Sequence, residues 1–252
     1  MKKKLKKDSL IRYSRQIILK KIGIVGQKKI LNSKILIIGA GGLGCPIADL
    51  LARSGVGTIG VVDYDKVNLS NIHRQTLYVT KDVGKFKVKI LKKKLNLINE
   101  EIKINIYNQK ANEKNLIKII DKYDIIVDGS DNFKTKFLLN KFSKKFKKKL
   151  IVGAISKFDG HIFKFDFSLK NSPCLKCFYQ TEPSDEILNC ESEGILGSTA
   201  NIIGALQANE VLKTVLGIEN NLNSKILILD FLNLEFRKVI FRKRKDCICK
   251  KV

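Results

Sequence analysis

Gly39-Ala40-Gly41-Gly42-Leu43-Gly44 fits the pattern G-x-G-x-x-G and stands between an apolar β-branched run and a helix-like stretch. Glycines at that spacing permit a tight turn, and the helix start offers unpaired N–H groups and a positive dipole end to a phosphate. Asp63 closes the next apolar run about 20 residues on, where a carboxylate can hold ribose hydroxyls. Together they predict a nucleotide site of the Rossmann type. An NAD-dependent dehydrogenase is the default for such a site, and a purely structural glycine turn is the alternative. The next stretch does not suit a dehydrogenase. Asp63, Asp65, Asn68, Ser70, Asn71, Arg74 and Gln75 crowd into one short polar segment, Lys87 follows, and Asp128-Gly129-Ser130-Asp131-Asn132 ends another apolar run. In a doubly wound sheet ligands bind beyond the C-terminal strand ends, where these groups could converge. Two basic side chains, an Asn and a spare Asp suit a triphosphate with Mg²⁺ better than a nicotinamide.

The cysteines suggest a second chemistry. Cys174-x-x-Cys177 has the spacing of half a zinc knuckle, and Cys247-x-Cys249 offers a second pair. A closed tetrahedral site needs both pairs. The alternative is a degenerate site of free thiols. Cys190 lies in the polar segment 183–194, expected to be an exposed loop, but Glu186, Glu191 and Glu193 would raise its pKa. Its activation would have to come from elsewhere in the fold. Cys45 follows the glycine loop and reads as a small buried residue. His73 and His161 have no partner pattern and read as non-catalytic.

Alternating strands and helices must position these groups. Apolar runs at 34–39, 58–63, 102–107, 123–128 and 150–153 read as strands, with helical patterns at 43–54, 83–98, about 112–121 and 132–146. A short helix capped by Asp8 or Ser9 precedes them. That rhythm implies a parallel sheet covered on both faces. After about residue 155 it changes: a strand at 160–167, a loop-rich stretch at 171–197, a helix at 198–216, and a closing antiparallel pair at 224–230 and 234–241. The fold class expected is α/β, a Rossmann-like, doubly wound, mostly parallel sheet with C-terminal antiparallel strands and a zinc-knuckle loop region. One domain over 1–252 fits best, with a nucleotide-binding part at about 30–155 and a C-terminal part at about 156–252.

The chain has 252 residues, 44% hydrophobic and 29% charged, enough for a real core and unlike a disordered or disulfide-scaffold protein. Its odd number is charge: 49 Lys+Arg against 24 Asp+Glu gives +25. The basic clusters are scattered, and no nucleic-acid-binding motif accompanies them, so a Lys-rich solvated surface is the plainer reading than nucleic-acid binding. Lys2–Lys4 resemble the charged end of a signal peptide, but Arg12 and Arg15 interrupt any apolar core behind them. No run approaches the roughly 18 apolar residues of a membrane span, so a cytoplasmic, non-membrane protein with reduced thiols is expected.

The ordered set of motifs resembles the ThiF/MoeB family, adenylyltransferases of sulfur-carrier proteins and bacterial relatives of ubiquitin-activating enzymes. It consists of Arg12-Tyr13-Ser14-Arg15-Gln16-Ile17, the glycine loop, Asp63-x-Asp65, Leu69-Ser70-Asn71-x-x-Arg74-Gln75, Lys87, Asp128-x-x-Asp131-Asn132, Cys174-x-x-Cys177, and Cys190 before Glu193-Gly194. Each motif alone is weak; the order, from about residue 9 to 249, is specific. The resemblance implies ATP-dependent adenylation of the C-terminal Gly-Gly carboxylate of a small ubiquitin-like sulfur carrier, releasing pyrophosphate, for molybdopterin or thiamine biosynthesis. It implies Asp63 on the ATP ribose and Gly42 against the nucleotide, with Asn71, Arg74 and Lys87 on the phosphates and Asp131 on Mg²⁺. Arg15 would reach into a neighbouring subunit's site, which requires a homodimer. Ser70, Gln75, Asp65 and Asn132 complete the implied nucleotide-binding set.

The family carries Cys-x-x-Cys where this chain has Cys247-x-Cys249, a departure of one residue in the structural Zn²⁺ site. In the family a Cys at position 190 can form a thioester or acyl-persulfide with the carrier. With no sulfurtransferase domain in this sequence, sulfur is expected from a separate donor protein. Two rival readings stand: a relative that activates tRNA threonylcarbamoyladenosine for cyclisation, and a non-catalytic Lys-rich binding module of Rossmann type.

Overall fold

The computed structural model describes residues 5–179, 181, 183, 194–218 and 222–247. Three short helical segments open the chain: α1 (Lys7–Arg12), α2 (Ser14–Ile17) and α3 (Gly23–Asn32). Then follow β1 (Lys34–Ile38), α4 (Gly44–Arg53), β2 (Thr58–Val62), α5 (Lys87–Ile98), β3 (Lys103–Tyr107), α6 (Glu113–Ile119), β4 (Ile125–Asp128), α7 (Phe133–Lys145) and β5 (Lys149–Ser156). The remainder is β6 (Asp159–Asp166), α8 (Leu175–Phe178), a long helix α9 (Gly197–Leu216), β7 (Lys225–Asp230) and β8 (Glu235–Ile240).

The eight strands form one sheet in the order β3-β2-β1-β4-β5-β6-β7-β8. The first five pair in parallel, and β5 through β8 run antiparallel. Both faces of the parallel half are buried, which explains the unbroken Val/Ile/Leu runs. Successive residues still divide between two cores. Ile35, Ile37, Ile59, Val61, Ile125 and Val127 pack with Leu51, Leu91 and Val211 of α4, α5 and α9. Leu36, Ile38, Val62, Ile126 and Leu150 pack on the other face with Leu116, Phe137 and Leu175 of α6, α7 and α8. The result is helix, sheet and helix in three layers, as the alternating pattern implies. Among the described residues no helix is long and apolar enough to cross a membrane.

Three local expectations are corrected. Neither Asp8 nor Ser9 caps α1: Lys6 stands at the cap with no side-chain bond, and the buried Ser9 hydroxyl donates instead to Glu101 Oε2 at 2.7 Å. Helix α5 starts at Lys87, not 83, because a 3₁₀ turn at Thr80–Asp82 and Gly84 at φ +83° break the pattern before it. Helix α3 was not expected. Its buried face is Gly26, Gln27, Ile30 and Leu31, while Ile24 and Val25 face solvent, so its apolar residues do not mark one stripe.

One strand residue carries a stability consequence. Lys164 of β6 is 2% exposed. Burial lowers its amine to about 8, with Lys149 and Lys213 adding to that and Glu210 and Asp166 opposing it. The unfolded chain therefore holds this proton more tightly, and stability rises as pH rises from about 8 towards the ordinary 10.5. Lys164→Met is expected to stabilise the protein at pH 7 by on the order of 2 kcal/mol and to flatten the rise above pH 8. Denaturant curves at pH 7 and pH 10 check this; a variant weaker than wild type at pH 7 would refute it.

Candidate active site

A cavity of about 1220 Å³ opens where β1, β2 and β4 end. The sheet order places β1 between β2 and β4, and the connections from β1 and β3 pass to opposite faces (α4 to one core, α6 to the other). This is the switch point at which open α/β sheets bind ligands. Gly42, Asp63, Asp65, Ser70, Asn71, Arg74, Gln75, Lys87, Asp131 and Asn132 all border the cavity. The structure thus gathers ten residues singled out in the sequence from five separate segments.

The glycines have different tasks. Gly39 takes φ +96°, the left-handed region that favours glycine, and a Cβ there would stand 2.6 Å from the Gly129 carbonyl oxygen. At Gly44 a Cβ would lie 2.0 Å from the Gly39 carbonyl oxygen, so the turn closes only without a side chain. Gly41 has room: the nearest atom to a Cβ would be Gln75 Nε2 at 3.6 Å. Gly42 is packed against Ala200, 3.2 Å from a would-be Cβ.

Asp63 ties this turn to β2. Its Oδ2 accepts the Ala40 N–H at 2.7 Å and its Oδ1 the Asp65 N–H at 2.7 Å. Burial pushes its carboxyl above the usual carboxylate range, while the Lys87 charge and the two amide donors pull it down. Lys87 Nζ lies 3.0 Å from Asp65 Oδ2, with its side chain only 7% exposed. Between Lys85 and Lys89 it looks in sequence like one more solvated lysine; the fold instead buries it at the first turn of α5, on the cavity wall.

The polar segment folds into a 3₁₀ turn at Leu69–Asn71, where Asn71 Oδ1 accepts the Asn68 N–H and Asn68 Oδ1 accepts the Ser70 N–H. Arg74 Nη1 donates to the Ser70 carbonyl at 3.0 Å, which fixes the guanidinium at the cavity edge. Gln75 is buried, and its Oε1 has no hydrogen-bond partner among the described residues. A buried acceptor without a donor is costly. Its side chain borders the cavity, with Nε2 the atom nearest to where a Gly41 Cβ would stand.

At the opposite wall Asn132, not Asp131, caps α7: its Oδ1 accepts the Thr135 N–H at 2.8 Å. Asp131 is exposed, and its Oδ1 accepts from Asn132 Nδ2 at 3.2 Å. Asp131 is thus not spent on the helix start, and it borders the cavity. Arg15, exposed on α2, does not border this chain's own cavity. Around it α1–α3 present Leu10, Ile11, Ile18, Leu19, Ile24 and Val25 to solvent. Cys45 is fully buried and its thiol is pushed up to about 12, an inert packing residue.

The cysteine cluster lies on the α7 side of the sheet. Cys174, Cys177 and Cys247 are buried with their Sγ atoms all within 4.8 Å, at 3.8 Å for Cys174–Cys177 and 3.7 Å for Cys174–Cys247. Asn140 of α7 anchors this loop by accepting the Leu175 N–H at 2.9 Å. Three converging thiols are a soft donor set that fits Zn²⁺ and does not suit Mg²⁺ or Ca²⁺. Cys249, expected as the fourth ligand, and Cys190, expected as a nucleophile, lie outside the described residues. Close to one zinc per chain is expected on elemental analysis, and Cys174→Ser should lower that below half and drop the thermal midpoint by about 10 °C.

One buried residue beneath the site was missed in the sequence. Lys136 of α7 is buried with Asp128 beneath the loop that ends β4. Its signal was positional: it shares a helical face with the buried Phe133, Phe137 and Asn140, where a solvated lysine would not sit.

A glycine turn at a sheet switch point, an acidic residue ending the next strand, and a buried lysine and a half-buried arginine lining one cavity define a nucleotide-binding α/β domain. More narrowly, the chain belongs to the ThiF family, which matches residues 13–250. It is 37% identical over 245 residues to a sulfur carrier protein adenylyltransferase of Thermus thermophilus, covering 96% of this chain and 90% of that protein. It is 39% identical over 247 residues to adenylyltransferase and sulfurtransferase MOCS3 of Culex quinquefasciatus, covering 97% of this chain and 56% of the relative. The chain thus spans about half the length of its MOCS3 relatives. Among solved structures, Escherichia coli MccB with MccA-N7isoASN matches with a TM-score of 0.84 at 23% identity, over 96% of this chain and 74% of that one. PaaA matches with a TM-score of 0.80 at 23% identity, over 97% and 77%. At that identity these two establish the fold.

Proposed function

We propose that this protein adenylates the C-terminal Gly-Gly carboxylate of a small ubiquitin-like sulfur carrier, using ATP and releasing pyrophosphate. The observation that carries the reading is the single cavity that brings the glycine turn, Asp63, Arg74, Lys87 and Asp131 together. Family membership and the Thermus relative support it. In the reaction a carboxylate oxygen of the carrier bonds to the α-phosphorus, and the bond from that phosphorus to the pyrophosphate oxygen breaks. A carboxylate is already ionised at neutral pH, so no general base is needed. Attack brings anion to anion, and the protein's work is positioning and positive charge.

Asp63 orients the ribose, the N–H groups of the glycine turn and α4 meet phosphate, and Asn71, Arg74 and Lys87 bind the phosphate oxygens. Asp131 would hold Mg²⁺, which neutralises triphosphate charge when bound. Gln75 lines the nucleotide cavity, and Asp65 keeps Lys87 in place. The exposed apolar surface of α1–α3 pairs two copies in this reading, which would bring Arg15 to the partner's site. The C-terminal part, from about residue 156, receives the carrier, and sulfur comes from a separate donor protein.

The test is ATP–pyrophosphate exchange with small carriers of the same organism. Exchange that requires a carrier ending in Gly-Gly supports the reading. Salt-sensitive RNA binding without ATP turnover would replace it with a nucleic-acid-binding module.

A further inference from the structure

We propose that Lys136 is a positioning residue that holds the Asp131 loop against the glycine turn. The proposal rests on the adenylation reading only in treating Asp131 as part of the chemistry. The side chains of Lys136 and Asp128 are 2% and 0% exposed. An ammonium has three protons, and here all three are spent on backbone or carboxylate. Nζ donates to Asp128 Oδ2 at 3.0 Å, to the Ser130 carbonyl at 2.8 Å and to the Gly153 carbonyl at 2.6 Å. One bond reaches the end of β4, one the loop, and one the neighbouring strand β5.

The other atoms of Asp128 hold the same loop. Its Oδ1 accepts the Ser130 N–H at 2.9 Å and the Ser130 hydroxyl at 2.6 Å, and its carbonyl accepts from Gln207 of α9 at 2.8 Å. Gly129 donates to the Ile38 carbonyl at 2.8 Å, and a Cβ on it would lie 3.2 Å from the Gly44 nitrogen. The loop therefore rests on the glycine turn itself. Lys136 spans it from beneath, out of the helix that Asn132 begins, and Asp131 is the next residue after the carbonyl it grips. A buried ion pair contributes little net stability and can often be exchanged for neutral groups. Geometry at the cavity is the return this one gives: a misplacement of about 1 Å can cost on the order of a hundredfold in rate.

Lys136→Met removes the charge and strands Asp128, so it can fail to fold. The double variant Lys136→Met with Asp128→Asn removes both charges at similar volume and keeps the Oδ1 acceptor. Carrier-dependent exchange is read at saturating ATP, per folded molecule by circular dichroism at 15 °C. The expected result is a folded double variant whose maximal exchange falls at least about tenfold while the KM for ATP stays within about threefold. Amides of residues 129–131 should also exchange with deuterium at least about tenfold faster, with those of β1 unchanged. A smaller loss of exchange, loop amides as slow as in wild type, or no variant that folds would each overturn the proposal, the last by assigning Lys136 to stability alone. If the wild-type protein shows no carrier-dependent exchange but the loop amides respond as described, the adenylation reading fails and the clamp stands.

Discussion

Asp131→Ala lowers carrier-dependent ATP–pyrophosphate exchange at least about a hundredfold while the thermal midpoint moves by less than about 4 °C: this is the first expected result. The two halves follow from separate observations. Asp131 is exposed and, among the described residues, its side chain bonds to its neighbour Asn132, so little packing depends on it. The helix cap beside it belongs to Asn132, which the substitution leaves in place. Yet Asp131 borders the cavity that Lys87, Arg74 and Asn71 also border, and it is the carboxylate there not already bonded to the glycine turn or to a lysine. Removing it takes away charge where a metal-bound triphosphate would need it. Exchange near the wild-type rate would withdraw Asp131 from the chemistry.

A pair of glycine substitutions separates folding from binding within one loop. Gly44→Ala is expected to destabilise the protein by about 3 kcal/mol or more, because its Cβ meets the Gly39 carbonyl oxygen at 2.0 Å and backbone cannot turn aside as a side chain can. Nucleotide binding should go with it, since that carbonyl belongs to the turn. Gly41→Ala has 3.6 Å of clearance and no positive φ to satisfy, so its stability should stay within about 1 kcal/mol of wild type. Its methyl group nevertheless projects at the cavity wall, and ATP affinity should fall at least about tenfold by obstruction of a close backbone approach. Thermal melts with and without ATP measure both effects. Equal loss of stability in the two variants would show that the glycines share one structural task.

The parallel half of the sheet was legible because burial on both faces writes continuous β-branched runs, and β1, β2 and β4 end within a residue of where those runs end. Asp63 was legible for the same reason, as the polar stop of such a run. Lys87 was not readable from its own neighbours, since Lys85 and Lys89 have the same chemistry; its place after the polar segment and the family resemblance singled it out, and its burial against Asp65 is a tertiary fact. Lys136 was hidden in the same way among the lysines of α7. Helix α3 escaped because a glycine and a glutamine share its buried face with Ile30 and Leu31 while Ile24 and Val25 face solvent, so no single hydrophobic period reports it. In a chain so rich in lysine, charge stops marking surface, and partner geometry decides which cations work. Of the 49 basic residues, three (Arg15, Arg74 and Lys87) were assigned to chemistry; Arg74 and Lys87 border the cavity, and Arg15 does not.

The strand order also sets a timetable. The antiparallel ribbon of β5 and β6 closes across a tight turn, with Ser156 facing Asp159. The β1–β4 pairing must instead join Ile35 to Ile125, across an intervening length of chain that includes β2, α5 and β3. Contacts between residues so far apart in sequence form slowly, because the loop entropy is spent before the contact rewards it. The seam between β1 and β4 is where the glycine turn meets the Asp131 loop. A newly made chain would thus acquire its local hairpin before its nucleotide pocket.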